Sequence, residues 1–498
     1  MKDGGPDVFK LETRLAVTDL GLTGRAAQSL TTAEVPALAG HGDLRVTIAG
    51  PFARGPAGWN AGIKGLFEQL RFADDAITGL TMEGHAARLS AAPGEASLRV
   101  AVESVATGAT RLRKIQLDAK VHERDIAVQA SLASPEPISL SLAGRLDDDQ
   151  QGLALTRIVL AYPRTEWLSQ GVAQLDFGGD TLSLKNLRLR SQGQELALDG
   201  AKTGDSIDAH LALDSLRLDL LPAVVVDPGM NLGGTLDVDL KADGETDDPR
   251  VTAQVRLERG RFRGFSKIAA TVAATLAHQR VDGKLGIDAP FAAVEGTFQL
   301  PQDPLAPGEG LDLRVDITRL NLAEALRGAA IEPQVDGRLT AQLRVTGSAG
   351  DPRVALTING RELEVKRPAS RTVAANAIDV GHARIHLTYA DHAAHADVDF
   401  ASAQGGMLRA DAATRVDLSY PAVTHPIVVK KLPVHGKVVA KDFDVAWIAR
   451  FNPRIETLGG QVNANARLAG TVADPQFIGD VRWKNGKVVA TVNPKSAP

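Results

Sequence analysis

A chain of 498 residues with 56 Lys and Arg against 60 Asp and Glu has no charge excess with which to grip nucleic acid, and its charges are interspersed rather than gathered in a tail. Hydrophobic residues make up 44%, which excludes a disordered chain, while aromatics reach only 4%, so the apolar content is mostly Leu, Val and Ala. The absence of cysteine rules out disulfides, thiol nucleophiles and thiolate-held metals.

The opening residues, Met1-Lys2-Asp3-Gly4-Gly5-Pro6, lack the basic stretch and apolar core of a signal peptide. Residues 7–20 already alternate like a strand, so the chain is expected to begin inside a fold, as an internal piece of a longer protein. No run of about 18 apolar residues occurs; the nearest, 268–277, is short and interrupted by threonine. Residues 59–70 are expected to form a helix. Period-two alternation, the mark of a strand with one apolar and one wet face, returns at 115–121, 138–142, 182–189 and 196–198.

From 214 onward the alternation is organised as a repeat. In the first copy Leu236, Val238 and Leu240 alternate with Asp237, Asp239 and Lys241, and Val251, Ala253, Val255 and Leu257 alternate with Thr252, Gln254, Arg256 and Glu258. The second copy carries Leu339, Ala341, Leu343 and Val345, then Val354, Leu356 and Ile358. The third carries Val462, Ala464, Ala466 and Leu468, then Val481 and Trp483. In each copy a glycine (Gly234, Gly337, Gly460) lies 15 residues before the proline of an Asp-Pro pair (Pro249, Pro352, Pro475). A Leu-Asp-Leu-like triplet (Leu218 to Leu220, Leu320 to Leu322, Phe443 to Val445) lies 16 or 17 residues before that glycine.

The Asp-Pro pair reads as a turn, with proline withholding a ladder donor and the aspartate bonding its own downstream backbone. The second strand is expected to end at glycine, as at Gly260, Gly360 and Gly486. Short helices are expected at 322–327 and 444–450, and further strands at 281–287, 311–317, 383–389 and 396–400. The segments 1–130, 131–213, 214–313, 314–439 and 440–498 show no linker between them, so they are expected to share one continuous groove.

The fold class this implies is all-β: an elongated repeating sheet curled into a U-shaped hydrophobic groove, with a few short helices. Roughly 28 strands at about 4.7 Å apart correspond to about 130 Å of sheet. Apolar burial is worth about 25 cal/mol per Å², so such a face either closes on itself or holds an apolar guest. The alanines at 253, 341, 464 and 466 leave room inside. The alternative is an array of closed β-sandwich modules; a β-solenoid enzyme would need shorter coils and an acidic cleft.

The order Gly, Asp-Pro, alternating strand and glycine resembles the AsmA-like superfamily and, within it, the TamB family; 167–200 and 214–262 are similar to TamB text. The resemblance covers about 130–490. It implies a periplasmic protein, anchored in the inner membrane when complete, whose β-taco groove takes phospholipid acyl chains towards the outer membrane. It also implies a link to outer-membrane protein assembly through a TamA-like β-barrel. The anchor and the family's C-terminal domain are not recognisable here, so no docking residue is carried over.

No catalytic or nucleotide-binding motif is present, and neither an enzymatic activity nor a cofactor is expected. His382, His386, His392 and His395, near Asp391 and Asp397, are the one metal candidate. His386 is expected on a wet strand face and His392 and His395 in a turn, which makes them surface histidines. Asp237 with Asp239, and Asp397 with Asp399, are paired carboxylates best read as solvated strand faces. Trp483 is expected on the apolar face.

Overall fold

A strand with one apolar face must share that face with its neighbours, and this chain does so by folding back on itself repeatedly. The computed structural model describes residues 8–17, 38–51, 58–72, 75–88, 94–107, 110–149, 151–305, 308, 310–331, 335–367, 376–424, 429–451 and 455–490. Among them are 28 strands, one α-helix and five 3-10 turns. Two contact units divide the chain, one comprising 1–232 with 236–247 and the other 233–235 with 248–498.

Unit 1 contains β1 (Val8–Val17), β2 (Leu38–Pro51), β3 (Asn60–Phe72), β4 (Asp75–Ala87), β5 (Gly94–Thr107), β6 (Thr110–Glu123), β7 (Asp125–Leu132), β8 (Ile138–Leu146), β9 (Gly152–Tyr162), β10 (Thr165–Ser169), β11 (Ala173–Asp176), β12 (Thr181–Ser191), β13 (Gln194–Thr203) and β14 (Ser206–Arg217). Strand β15 (Gly233–Glu245) has its first three residues in unit 2 and the rest in unit 1. From β1 to β14 each strand pairs antiparallel with its sequence neighbour, save that β10 and β11 share one place between β9 and β12.

Unit 2 contains β16 (Asp248–Phe262), β17 (Phe265–Ala277), β18 (Arg280–Ala289), β19 (Ala292–Pro301), β20 (Gly310–Asn321), β21 (Val335–Ser348), β22 (Pro352–Arg367), β23 (Asn376–Ala390), β24 (Ala393–Ala401), β25 (Met407–Arg415), β26 (His435–Asp444), β27 (Ile455–Gly470) and β28 (Pro475–Ala490). Here too every strand pairs antiparallel with the next.

Tight turns make this meander possible. Gln192-Gly193, His278-Gln279 and Asp391-His392 all take positive φ at both central positions. That is the mirror-image turn whose twist matches the flanking strands. The Asp-Pro turns differ from expectation. Their backbone closes reciprocally, Ser348 N to Asp351 O and Asp351 N to Ser348 O, both 3.2 Å. The side-chain bond runs the other way round, because Ser348 Oγ and Thr471 Oγ1 accept from the N–H of Asp351 (3.1 Å) and Asp474 (3.2 Å). In the second and third copies a hydroxyl three residues before the aspartate does the work assigned to the aspartate itself.

Other expectations are corrected. Residues 59–70 are not helical: β3 pairs Ile63 with Val46 and Leu44 with Gly65, a period-two register, and Gly62 and Gly65 weaken a helix. The second strand of each repeat does not stop at glycine, since β16, β22 and β28 run on to Phe262, Arg367 and Ala490. Instead Gly260 and Gly360 sit at register shifts inside the strand. The helix expected at 322–327 is α1 (Leu322–Gly328), whose Asn321 side chain accepts from Glu324 N at 3.0 Å. The segment expected at 444–450 is a 3-10 turn, Ala446–Phe451.

Candidate functional site

Directly paired residues in an antiparallel sheet point to the same face, so the register can be followed from strand to strand. In unit 2 one such row reads Leu257, Ala270, Ile287, Val294, Ile317, Ala341, Ile358, Ile385, Val398, Ala410, Val438, Ala466 and Gly479. Every strand from β16 to β28 contributes an apolar residue or glycine. The row one residue over faces the other way: Arg256, Thr271, Gly286, Glu295, Asp316, Gln342, Thr357, His386, Asp397, Asp411, Lys437, Arg467 and Ile478.

Unit 1 repeats the pattern. Leu15, Leu44, Gly65, Met82, Val100, Leu117, Ala130, Leu140, Leu160 and Trp167 form an unbroken apolar row from β1 to β10. The row behind it begins Arg14, Arg45, Lys64, Glu83, Arg99 and Asp118. Large side chains lean over the glycines: a Cβ on Gly65 would meet Met82 Cγ at 2.7 Å, and one on Gly296 would meet Leu285 Cγ at 2.9 Å.

These apolar rows are not locked in a dry interior. Among the described residues 15 hydrophobic side chains are buried, about one for every two of the 28 strands. A sandwich in which each strand buried two or three would hold several times that number. Most residues of the rows are half-buried. At about 25 cal/mol per Å², a half-exposed Leu or Ile leaves about 1 kcal/mol of burial unrealised. Local closure occurs where Ala440, Phe443 and Val445 pack with Phe400, Leu408 and Trp447.

Ion pairs bridge neighbouring strands at several places on the charged face. Lys64 pairs with Glu83 at 2.7 Å, Arg99 with Asp118 at 2.6 Å and Arg409 with Asp399 at 2.8 Å. The Lys64 bond holds the Glu83 carboxyl below its usual range, and the Asp118 bond raises Arg99. The His210 bond likewise lowers Asp239, and Ser419 lowers Asp417. The Gln174, Ser183 and Lys185 side chains together lower Asp176. A hollow of about 900 Å³ is edged by Asn359, Arg361, Arg384, Asp399 and Arg409 together with Phe400, Met407 and Leu408.

Asp199 is lowered chiefly by Arg188, whose guanidinium donates at 2.6 Å. A carboxylate depressed in the folded state contributes stability in full above its unfolded pKa, about 3.9, and loses it as pH falls through the folded value. Arg188→Gln is therefore expected to raise the Asp199 pKa towards its ordinary value and to move acid unfolding to higher pH. A carboxyl-carbon NMR titration beside an acid-unfolding curve measures both.

The sequence-predicted residues fall as follows. Val251, Ala253, Val255 and Leu257 pair with Leu276, Ala274, Val272 and Ala270. Ala341, Leu343 and Val345 pair with Ile358, Leu356 and Val354, and Leu339 with Gly360. Val462, Ala464, Ala466 and Leu468 pair with Trp483, Val481, Gly479 and Phe477. Val481 and Trp483 are 63% and 45% exposed, and the Trp483 indole donates to Gly459 O at 3.2 Å. In β15 burial does not separate the two faces: Leu236, Val238 and Leu240 are half-buried, and so are Asp237 and Asp239.

The histidines do not converge. His386 is exposed and bonds Thr357 at 3.0 Å, and His392 in its turn pairs with Asp417 at 3.2 Å. His395 lies within β24 and not in the turn, because the two-residue loop ends at His392. Among the described residues no group of potential ligands could hold a metal. Asp239 is held by His210 at 2.9 Å, and Asp237 accepts from Ser215 N at 2.7 Å.

A family model described as the N-terminal domain of TamB matches residues 9–289 and 300–482. The chain belongs to the TamB family. No curated protein and no solved structure matches it. TamB proteins act in translocation and assembly and are not enzymes, which accords with a site built from rows of aliphatic side chains. No helix among the described residues is long and apolar enough to cross a membrane. Sequence reading of this TamB chain missed the polar residues that tie its connections to the sheet, notably Gln194, because nothing in their neighbourhood repeats.

Proposed function

We propose that the apolar face is a lane for phospholipid acyl chains, which the protein carries across the periplasm between the inner and outer membranes. The observation that carries this reading is the unbroken, half-exposed apolar row from Leu257 to Gly479, backed by an ion-paired face that suits water. An acyl chain laid along such a row loses water contact at about 0.8 kcal/mol per methylene. Membership of the TamB family supports the setting, and with it a role in outer-membrane protein assembly beside a TamA-like barrel.

The test is a photo-crosslinker placed by residue. At Leu343, Ala464 and Val238 it should label acyl chains of co-purifying phospholipid; at Arg344, Asn465 and Asp239, one residue away, it should not. Mass spectrometry of the adducts reads the result, and equal labelling of the two sets would remove the lane. Closed sandwich modules would label neither set.

A further inference from the structure

Three buried polar side-chain groups that meet no partner among the described residues lie at one rim of unit 1. Strand β10 begins at Thr165, β12 ends at Ser191 and β13 begins at Gln194. Ser191 and Gln194 close their hairpin as a register pair, and Gln192 Nε2 donates to Arg164 O at 3.0 Å, holding the β9–β10 turn against it. Thr165, Ser191 and Gln194 are 4%, 4% and 1% exposed. By strand parity they share the face of Trp167, Leu189 and Leu196, the apolar one.

Gln194 Oε1 accepts from Arg217 N at 2.8 Å. Because a backbone N–H can only donate, that bond fixes which end of the amide is oxygen. Gln194 Nε2, Thr165 Oγ1 and Ser191 Oγ then meet no hydrogen-bond partner among the described residues. The end of β14 and the connection after it are tied to the sheet here: Arg217, the last residue of β14, donates its N–H to Gln194, Leu220 is 7% exposed, and Ala223 N donates to Glu136 Oε2 at 2.9 Å, back at the turn between β7 and β8.

We infer that these three groups form a binding site for one oxygen acceptor. Each can donate, and buried donors of this kind are ordinarily satisfied by an internal ligand with about three bonds. Two sources have the right chemistry: a water molecule, or a carbonyl or phosphoryl oxygen of a glycerolipid lying on the apolar face. The second source rests on the function proposed above; the first does not.

Thr165→Val and Ser191→Ala remove one donor each at nearly constant shape. If the oxygen is held, each lowers the melting temperature of the full chain, by about 1 °C or more. If each variant leaves it unchanged or raises it both without lipid and with dihexanoyl phosphatidylglycerol present, the groups are dry and unpartnered and the site is overturned. Repeating the measurement with dihexanoyl phosphatidylglycerol separates the sources. A lipid-induced rise in the parent chain that vanishes in Thr165→Val assigns the oxygen to lipid; an equal rise in both assigns it to water. No rise in the parent chain counts against lipid as the source and leaves the loss in the variants to decide the site.

Discussion

Leu343→Arg is expected to cut the phospholipid that co-purifies with the protein at least roughly tenfold, a change that about 1.4 kcal/mol would produce. Leu343 stands in the register between Val315 and Leu356, and its neighbours on the same face of β21 are Ala341 and Val345. A guanidinium there must keep its water, and bringing a methylene chain past it means either stripping that water, at several kcal/mol, or leaving the row. The folded protein suffers less, because the side chain is half-buried and a long arginine can reach out to solvent. Gln342→Arg is the matched control. Gln342 faces the opposite side between Asp316 and Thr357, where a guanidinium meets a carboxylate and stays in water. Phospholipid quantified per mole of protein should fall for the first and hold for the second; equal loading of both variants would show that lipid does not travel on this face.

Much of this fold was legible because its cause is local. Period-two alternation dictates strands, and the strands at 115–121, 281–287 and 383–389 lie within β6, β18 and β23. The short helix expected at 322–327 is α1, its start capped by the Asn321 side chain. What failed depended on partners distant in sequence. Residues 59–70 carry Leu66, Phe67 and Leu70 at spacings that suit a helix face, but β2 and β4 on either side supply a ladder that a helix would forgo. The glycines expected to stop the repeat strands do not: Gly260 and Gly360 mark bulges, which depend on the register of the partner strand. Turns such as His278-Gln279 contain no glycine or asparagine, so their positive φ values left no mark in the sequence. For the candidate site, the residue types and their alternation could be read, but the row that joins them follows only from pairings set by turn lengths and bulges.

The landmark glycines offer the sharpest test of that register. Gly460→Ala is expected to destabilise unit 2 by about 2–5 kcal/mol, whereas Gly459→Ala, one residue earlier, should cost under about 1 kcal/mol. Gly460 has φ +107°, and a Cβ there would meet Lys484 O and Trp483 Nε1 at 2.6 Å. Gly459 has its nearest obstruction, Lys487 Cβ, at 4.0 Å. The strain and the clash act together at Gly460, and relief requires β28 to move away from β27, which also removes the Trp483 bond to Gly459 O. Hydrogen exchange should therefore quicken across the β27–β28 ladder first, with a shift in Trp483 fluorescence, before global unfolding moves. The other copies set an order. A Cβ on Gly234 would meet Glu258 O at 2.8 Å, and one on Gly337 would meet Glu362 O at 3.0 Å, with φ +112° and +140°. Gly337→Ala should thus be the mildest of the three, and a Gly460→Ala chain as stable as Gly459→Ala would mean that the repeat glycine does not face the bulge of the next strand.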